Sequence, residues 1–100
     1  MVKVMVFLTK RADMSRDEFR RYWRETHGPL GAAMPGVREY VQNHATADGA
    51  PFDGVAEMWF DDMAAMAAAF ASPEAAAAAR DVPNLLSDTK MMVVEEVAVI

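Results

Sequence analysis

Residues 2–9, Val2-Lys3-Val4-Met5-Val6-Phe7-Leu8-Thr9, place Val2, Val4, Val6 and Leu8 on one side of an extended chain and Lys3, Met5, Phe7 and Thr9 on the other. The period of two predicts a strand, and both of its faces are largely apolar. Such a strand needs cover on both sides.

The residues that follow supply one of those covers. Ser15-Arg16-Asp17-Glu18 has the form of a capping box, in which the Ser15 hydroxyl accepts from the Glu18 amide and Glu18 reaches back to the Ser15 amide. A helix is predicted to start there, with Phe19, Tyr22, Trp23, Thr26 and Leu30 in one stripe and His27 at its edge. Pro29 lacks a backbone donor and discourages helical geometry at Gly28, so a kink or break is expected around His27-Gly28, freeing nearby carbonyls, with a short helical continuation before Pro35-Gly36. A second strand is expected over 37–45, a turn-rich loop over 46–53, and a third strand from Gly54 to Phe60 pairing back as an antiparallel hairpin. Asp61-Asp62 then caps an alanine-rich helix with Met63, Met66, Ala67 and Phe70 as its buried stripe. Ser72-Pro73 starts another helical piece, with Ser72 as N-cap. Met91 to Ile100 reads as a final strand, apolar on both faces apart from Glu95-Glu96.

The order βαββαβ predicts an α+β, ferredoxin-like sandwich in which a four-stranded antiparallel sheet carries two helices on one face. Two helices leave the other sheet face bare, and since the first and last strands are apolar on both sides, that face is expected to meet its counterpart in a homodimer.

Composition narrows the function classes. One hundred residues, 53% of them hydrophobic, make a single domain over residues 1–100 that is rich in apolar surface for its size. No apolar run is long enough to span a bilayer, and Met1-Val2-Lys3-Val4 lacks the features of a signal peptide. The expectation is therefore a cytoplasmic protein without a membrane partner. Without cysteine there is no disulfide, thiolate metal site or cysteine nucleophile. The net charge of -5 argues against nucleic acid as a partner. The charge is uneven: residues 1–38 hold eight of the ten Lys/Arg and four of the fifteen acids, so the remainder is strongly acidic. Along the first helix, Asp17/Arg21 and Arg21/Glu25 are spaced to pair.

Histidine is the side chain that both gives and takes a proton near neutrality, and the chain has two. His27, after the aromatic stripe, is placed to line a cavity between the first helix and the sheet as a catalytic acid–base group; otherwise it caps the helix end by donating to a carbonyl freed by Pro29. His44 shares a strand face with Tyr40 and Gln42, a row that is either a polar binding ledge or a solvated strand end. Glu57 and Trp59 share a face of the third strand. There Glu57 is either a carboxylate with a raised pKa in an apolar setting or, facing a subunit interface, a group paired across the dimer. Tyr22 and Trp23 are core residues or cavity wall. His27 and His44 have no further ligands at metal-binding spacing, so neither a metal centre nor a cofactor is expected.

The ordered set Trp23-Arg24-x-x-His27-Gly28-Pro29-Leu30, Pro35-Gly36, Tyr40-Val41-Gln42-Asn43-His44 and Asp53-Gly54-Val55-Ala56-Glu57-Met58-Trp59-Phe60 resembles the EthD family over nearly the whole chain. The resemblance implies the dimeric α+β barrel superfamily, whose chemistries include muconolactone-type isomerisation, polyketide cyclisation and decarboxylation, cofactor-free quinone-forming oxygenation, and haem degradation. Fold alone does not choose among them. It carries over His27 as the site residue.

Three functional readings follow. The first is an enzyme using His27 to shuttle a proton during isomerisation, cyclisation or decarboxylation of a small hydrophobic oxygenated ring compound; Tyr22, Trp23 and Trp59 shape the pocket, and Asn43 or His44 orients a carbonyl. The second is a noncatalytic dimer that binds a small apolar ligand or assists an oxygenase. The third, haem binding, draws on Asn43, Trp59 and a histidine.

Overall fold

The computed structural model describes residues Met1 to Ile100. Strand β1 (Val2–Lys10) lies inside a four-stranded antiparallel sheet of order β2-β3-β1-β4, with β2 at Glu39–His44, β3 at Gly54–Phe60 and β4 at Leu86–Val94. Val4 faces Met58, and Val6 faces Ala56 across the β1–β3 ladder. With Val2 and Leu8 they turn toward the helices, while Lys3, Met5 and Phe7 pair with Trp59, Glu57 and Val55 on the opposite, outer face. The expected alternation of β1 and the hairpin of β2 with β3 are both present.

Helix α1 (Arg16–Tyr22) begins at the capping box: the Glu18 amide donates to Ser15 Oγ at 3.1 Å, and the Ser15 amide donates to Glu18 Oε1 at 3.4 Å. At the kink or break expected around His27-Gly28 the chain makes a π-helical turn over Trp23–His27, and the expected short continuation is α2 (Gly28–Ala32), which follows without interruption. The Gly28 amide donates to the Trp23 carbonyl, five residues back. A π-turn carries one more residue than an α-turn. It therefore shifts the buried stripe: Phe19 and Trp23 are fully buried, Thr26 falls in solvent, and the stripe resumes at Gly28, Gly31 and Met34. The i,i+4 ion pairs expected along this helix are absent; instead Arg16 reaches Asp48 at 3.2 Å and Arg24 lies 3.8 Å from Glu25.

Helices α3 (Met63–Phe70) and α4 (Pro73–Asp81) start at Asp62 and Ser72, whose side chains accept from the Ala65 and Ala75 amides. The buried side of α3 is not the expected stripe. Ala69 is fully buried, with Ala65 and Met66 beside it, whereas Met63 and Ala67 are exposed and Phe70 is 38% exposed with its ring 5.9 Å from Phe60. Small side chains let this short helix lie close to the sheet, leaving its larger ones at the margins. The last strand is also displaced: β4 runs from Leu86 to Val94, so Ser87-Asp88-Thr89-Lys90 belong to it and residues 95–100 lie outside it. An edge strand tolerates polar residues on faces that nothing covers. The principal extents are 38 × 37 × 19 Å, the thin dimension being one sheet and one helical layer.

Candidate functional site

Between the helices and the inner sheet face is a cavity of about 200 Å³ whose wall is almost entirely apolar. Val6, Leu8 and Met58 form part of its floor, α4 contributes alanines, and Trp23, His27, Tyr40 and Thr89 bring the polar side-chain atoms. Neither lysine nor arginine is in the wall.

The π-turn positions His27 at this cavity. Its Nδ1 lies 2.8 Å from Asp81 Oδ2, and both side chains are largely buried. Asp81, at the end of α4, also accepts from Tyr22 Oη at 2.6 Å and from Asn84 Nδ2 at 2.9 Å. Burial pushes the Asp81 carboxyl up, but the hydrogen bonds from Tyr22, Asn84 and His27 outweigh it and hold the group below its ordinary range. The hydrogen bond to Asp81 and then burial raise the Tyr22 phenol. An ionised Asp81 accepts only, so Nδ1 carries the proton of a neutral His27 and Nε2 presents its lone pair. Nε2 has no partner within the chain. His27 therefore does not cap a freed carbonyl: the Trp23 carbonyl is taken by the Gly28 amide and by Gln42 Nε2 at 3.0 Å.

Tyr40, Gln42 and His44 form the expected row on the inner face of β2. Tyr40 Oη lies 3.2 Å from Trp23 Nε1 and 3.5 Å from Gln42 Nε2. Gln42 Oε1 lies 2.9 Å from His44 Nε2, and the His44 ring stacks on Trp23 with centroids 4.5 Å apart. Since Gln42 Oε1 can only accept, His44 carries its proton on Nε2, which leaves the buried Nδ1 without a partner. Burial, then Arg20 and Arg24, depress the His44 pKa. His44 packs behind Trp23 and is not among the cavity's lining residues.

The structure does not bring all the sequence-derived candidates together. Trp23 and His27 line the cavity, while Tyr22 stands behind it, holding Asp81. Asn43 and Trp59 are on the outer sheet face: Asn43 Nδ2 donates to Glu57 Oε1 at 2.8 Å, and Lys3 Nζ sits 5.0 Å from the centre of a Trp59 ring. Glu57 is there too, and its ion partner belongs to its own chain and not to a second subunit: Lys3 Nζ lies 2.6 Å away and also meets Glu96 at 2.8 Å. The Lys3 and Asn43 hydrogen bonds lower the Glu57 carboxyl, the opposite of the raised pKa of an acid–base group. Asn43 and Trp59 thus do not share a face with either histidine.

Sequence reasoning missed Asp81, since its pairing with His27 spans 54 residues and no local spacing announces it. Tyr40 was visible only as a member of the β2 row.

An antiparallel sheet in the order β2-β3-β1-β4, helices on one face and a histidine-bearing apolar cavity between the layers define a ferredoxin-like α+β protein. The EthD domain family model matches residues 11–89, and the chain belongs to that family. It is similar in structure to an ethyl tert-butyl ether D (EthD) family protein from Bacillus halodurans, with a TM-score of 0.83 and 24% identity over 97% of this chain and 99% of the other. A DABB family protein with a ferredoxin-like fold from Mesorhizobium loti superposes with a TM-score of 0.76 at 19% identity, covering 97% of each chain. A dimeric protein of unknown function from Bacteroides fragilis does so with a TM-score of 0.74 at 17% identity, covering 95% of each. At these identities the likeness is one of fold. No curated protein matches the chain.

Proposed function

We propose that this EthD-family chain is a homodimeric, cofactor-independent enzyme that uses His27 as an acid–base group on a small hydrophobic oxygenated ring compound, in an isomerisation, cyclisation or decarboxylation. One observation carries the reading: His27 stands in the wall of an apolar cavity with Nδ1 fixed by Asp81 at 2.8 Å and Nε2 unpartnered. A carboxylate behind Nδ1 fixes the tautomer and stabilises the imidazolium formed when Nε2 takes a proton. Tyr22 and Asn84 keep that carboxylate oriented.

The cavity limits the substrate. About 200 Å³ is below the roughly 300–1,000 Å³ of sites that hold drug-sized ligands, which fits a compound of one ring. Trp23 supplies an aromatic wall. The homodimer rests on the bare outer sheet face and on the dimeric relative from Bacteroides fragilis.

The test is turnover of single-ring ketones, lactones and β-keto acids by the purified protein. His27→Ala is expected to lower kcat about 10²–10⁴-fold with its circular dichroism unchanged. Asp81→Asn is expected to lower it as well, by releasing the tautomer. Saturable binding of these compounds with no turnover at all would favour the noncatalytic reading, to which the almost wholly apolar wall is equally suited. Haem binding has less support, because Asn43 and Trp59 lie on the sheet face opposite the histidines.

A further inference from the structure

The hydrogen-bond directions around Tyr40 are fixed by its neighbours. Gln42 places one amide atom 3.0 Å from the Trp23 carbonyl and the other 2.9 Å from His44 Nε2. A carbonyl only accepts, so the first atom is the nitrogen, and the same nitrogen faces Tyr40 Oη at 3.5 Å. The indole Nε1 of Trp23, a donor and nothing else, faces that oxygen at 3.2 Å. Two donors thus converge on a hydroxyl that has two lone pairs and one hydrogen. Both lone pairs are engaged, and the hydrogen has no acceptor within the chain. The ring is held in place by close packing on α2: a Cβ on Gly31 would come within 3.0 Å of Tyr40 Cε2. Tyr40 shares the cavity wall with His27.

We infer that the Tyr40 hydroxyl donates to a carbonyl oxygen of the ligand, so that the site takes neutral ring ketones, enones or lactones. The inference rests on the cavity reading above and adds the group that selects the substrate. A neutral carbonyl fits better than a carboxylate, since the wall has no lysine or arginine to offset a buried charge. The chemistry balances without an oxidant or metal. His27 Nε2 takes a proton from the carbon next to the carbonyl, and the C–H electron pair becomes the enolate double bond. The oxygen gathers negative charge against the Tyr40 hydrogen; where the substrate carries a C=C at its β,γ position the anion is a dienolate, and His27 returns the proton to the γ carbon as the C=C moves into conjugation with the carbonyl, which completes an isomerisation.

Acetophenone and ethylbenzene, each one aromatic ring with and without the carbonyl, test the inference. The protein is expected to bind acetophenone roughly 3–10-fold more tightly, the worth of one net hydrogen bond, as read by titration of the Trp23 indole N–H signal. The carbonyl stretch of bound ¹³C-labelled acetophenone is expected to fall relative to its value in an apolar solvent. Tyr40→Phe should abolish both effects and leave ethylbenzene binding unchanged. Should that variant fail to fold, His27→Ala and Thr89→Val decide, because the preference and the lowered stretch survive both only if the donor is Tyr40. Equal binding of the two probes with an unshifted stretch overturns the inference but leaves the cavity reading standing. A preference retained by Tyr40→Phe, or lost in a folded His27→Ala or Thr89→Val, overturns it as well. If neither probe perturbs Trp23, both the inference and the cavity reading fall.

Discussion

His44 shows how burial sets the protonation state of a side chain that stands outside the cavity wall. Its ring is stacked on Trp23, its Nε2–H donates to Gln42, and its Nδ1 is buried without a partner. Protonation would put a charge there facing Arg20 and Arg24. Its pKa in the folded chain is depressed below the ordinary value of about 6.5. The unfolded state therefore binds the proton more readily, and the stabilising contribution is complete above pH 6.5 and lost as pH falls through the folded value. Thermal melts from pH 7.5 to 5.5 are expected to show a falling midpoint, and in His44→Gln the fall should be shallower; equal slopes would refute the assignment. Gly54 presents a steric counterpart. A Cβ there would come within 2.4 Å of the buried Trp23 ring and 3.0 Å of the Asn43 carbonyl oxygen. Overpacking of this kind costs typically about 1–3 kcal/mol, so Gly54→Ala should lower the urea midpoint accordingly and perturb Trp23 fluorescence.

The π-turn is the point at which sequence patterning and structure part. Trp23 and Gly28 are both buried, five residues apart, because Trp23–His27 makes one wide turn. Pro29 follows immediately, where a regular α-helix would lose a hydrogen bond and meet a clash. Deleting the exposed Glu25 would return the turn to α-geometry and keep Trp23 and Gly28 on one face, but it would set Pro29 inside a regular helix. That variant is expected to lose about 3 kcal/mol in urea unfolding. Pro29→Ala in the same chain should restore most of it, while the His27 Nδ1–H signal from the Asp81 contact stays lost. A deletion variant as stable as the parent would show that proline does not favour the wide turn. Local signals otherwise made the elements legible: the alternation of β1, the Ser15 box and the Ser72-Pro73 start all appear where the sequence puts them. The π-turn was not legible, since the 3.6-residue period assigns Thr26 to the buried stripe and gives no warning of one extra residue. The start of β4 was obscured for a different reason. Ser87-Asp88-Thr89-Lys90 gives no strand signal because it is polar, as an edge strand with an uncovered outer face allows, so the apolar pattern starts only at Met91. His27 was legible as a candidate from its place after the aromatic stripe, whereas Asp81 acquires its role only through tertiary contact.

The protomer carries more surface than its mass calls for: 6090 Å² against about 5,600 Å² for a compact 11.0 kDa chain. Much of what is exposed is apolar and belongs to β4 and the residues after it, with Met91, Met92, Val93, Val97 and Val99 all more than two-fifths exposed. Helices cover one side of the sheet, and the outer side offers Met5, Phe7, Val55, Trp59, Met92 and Val94 around the Lys3–Glu57 pair. An apolar face ringing an internally matched ion pair suits a second copy: the pair already satisfies its charges within one protomer, and the surrounding side chains supply area to bury. Met92 gives the cleanest probe, because at 52% exposure its substitution leaves the core of the protomer untouched. Sedimentation velocity at micromolar concentration is expected to give a particle of twice the 11.0 kDa chain mass, and Met92→Asp should shift it to the monomer by burying an unpaired charge at the contact. The parent should also melt at a midpoint that rises with protein concentration, since association stabilises by mass action, while the variant's midpoint should not. A parent chain that sediments as a monomer with a concentration-independent midpoint would mean that the outer face stands in water unaided. A dimer unaffected by Met92→Asp would place the contact elsewhere on the protomer.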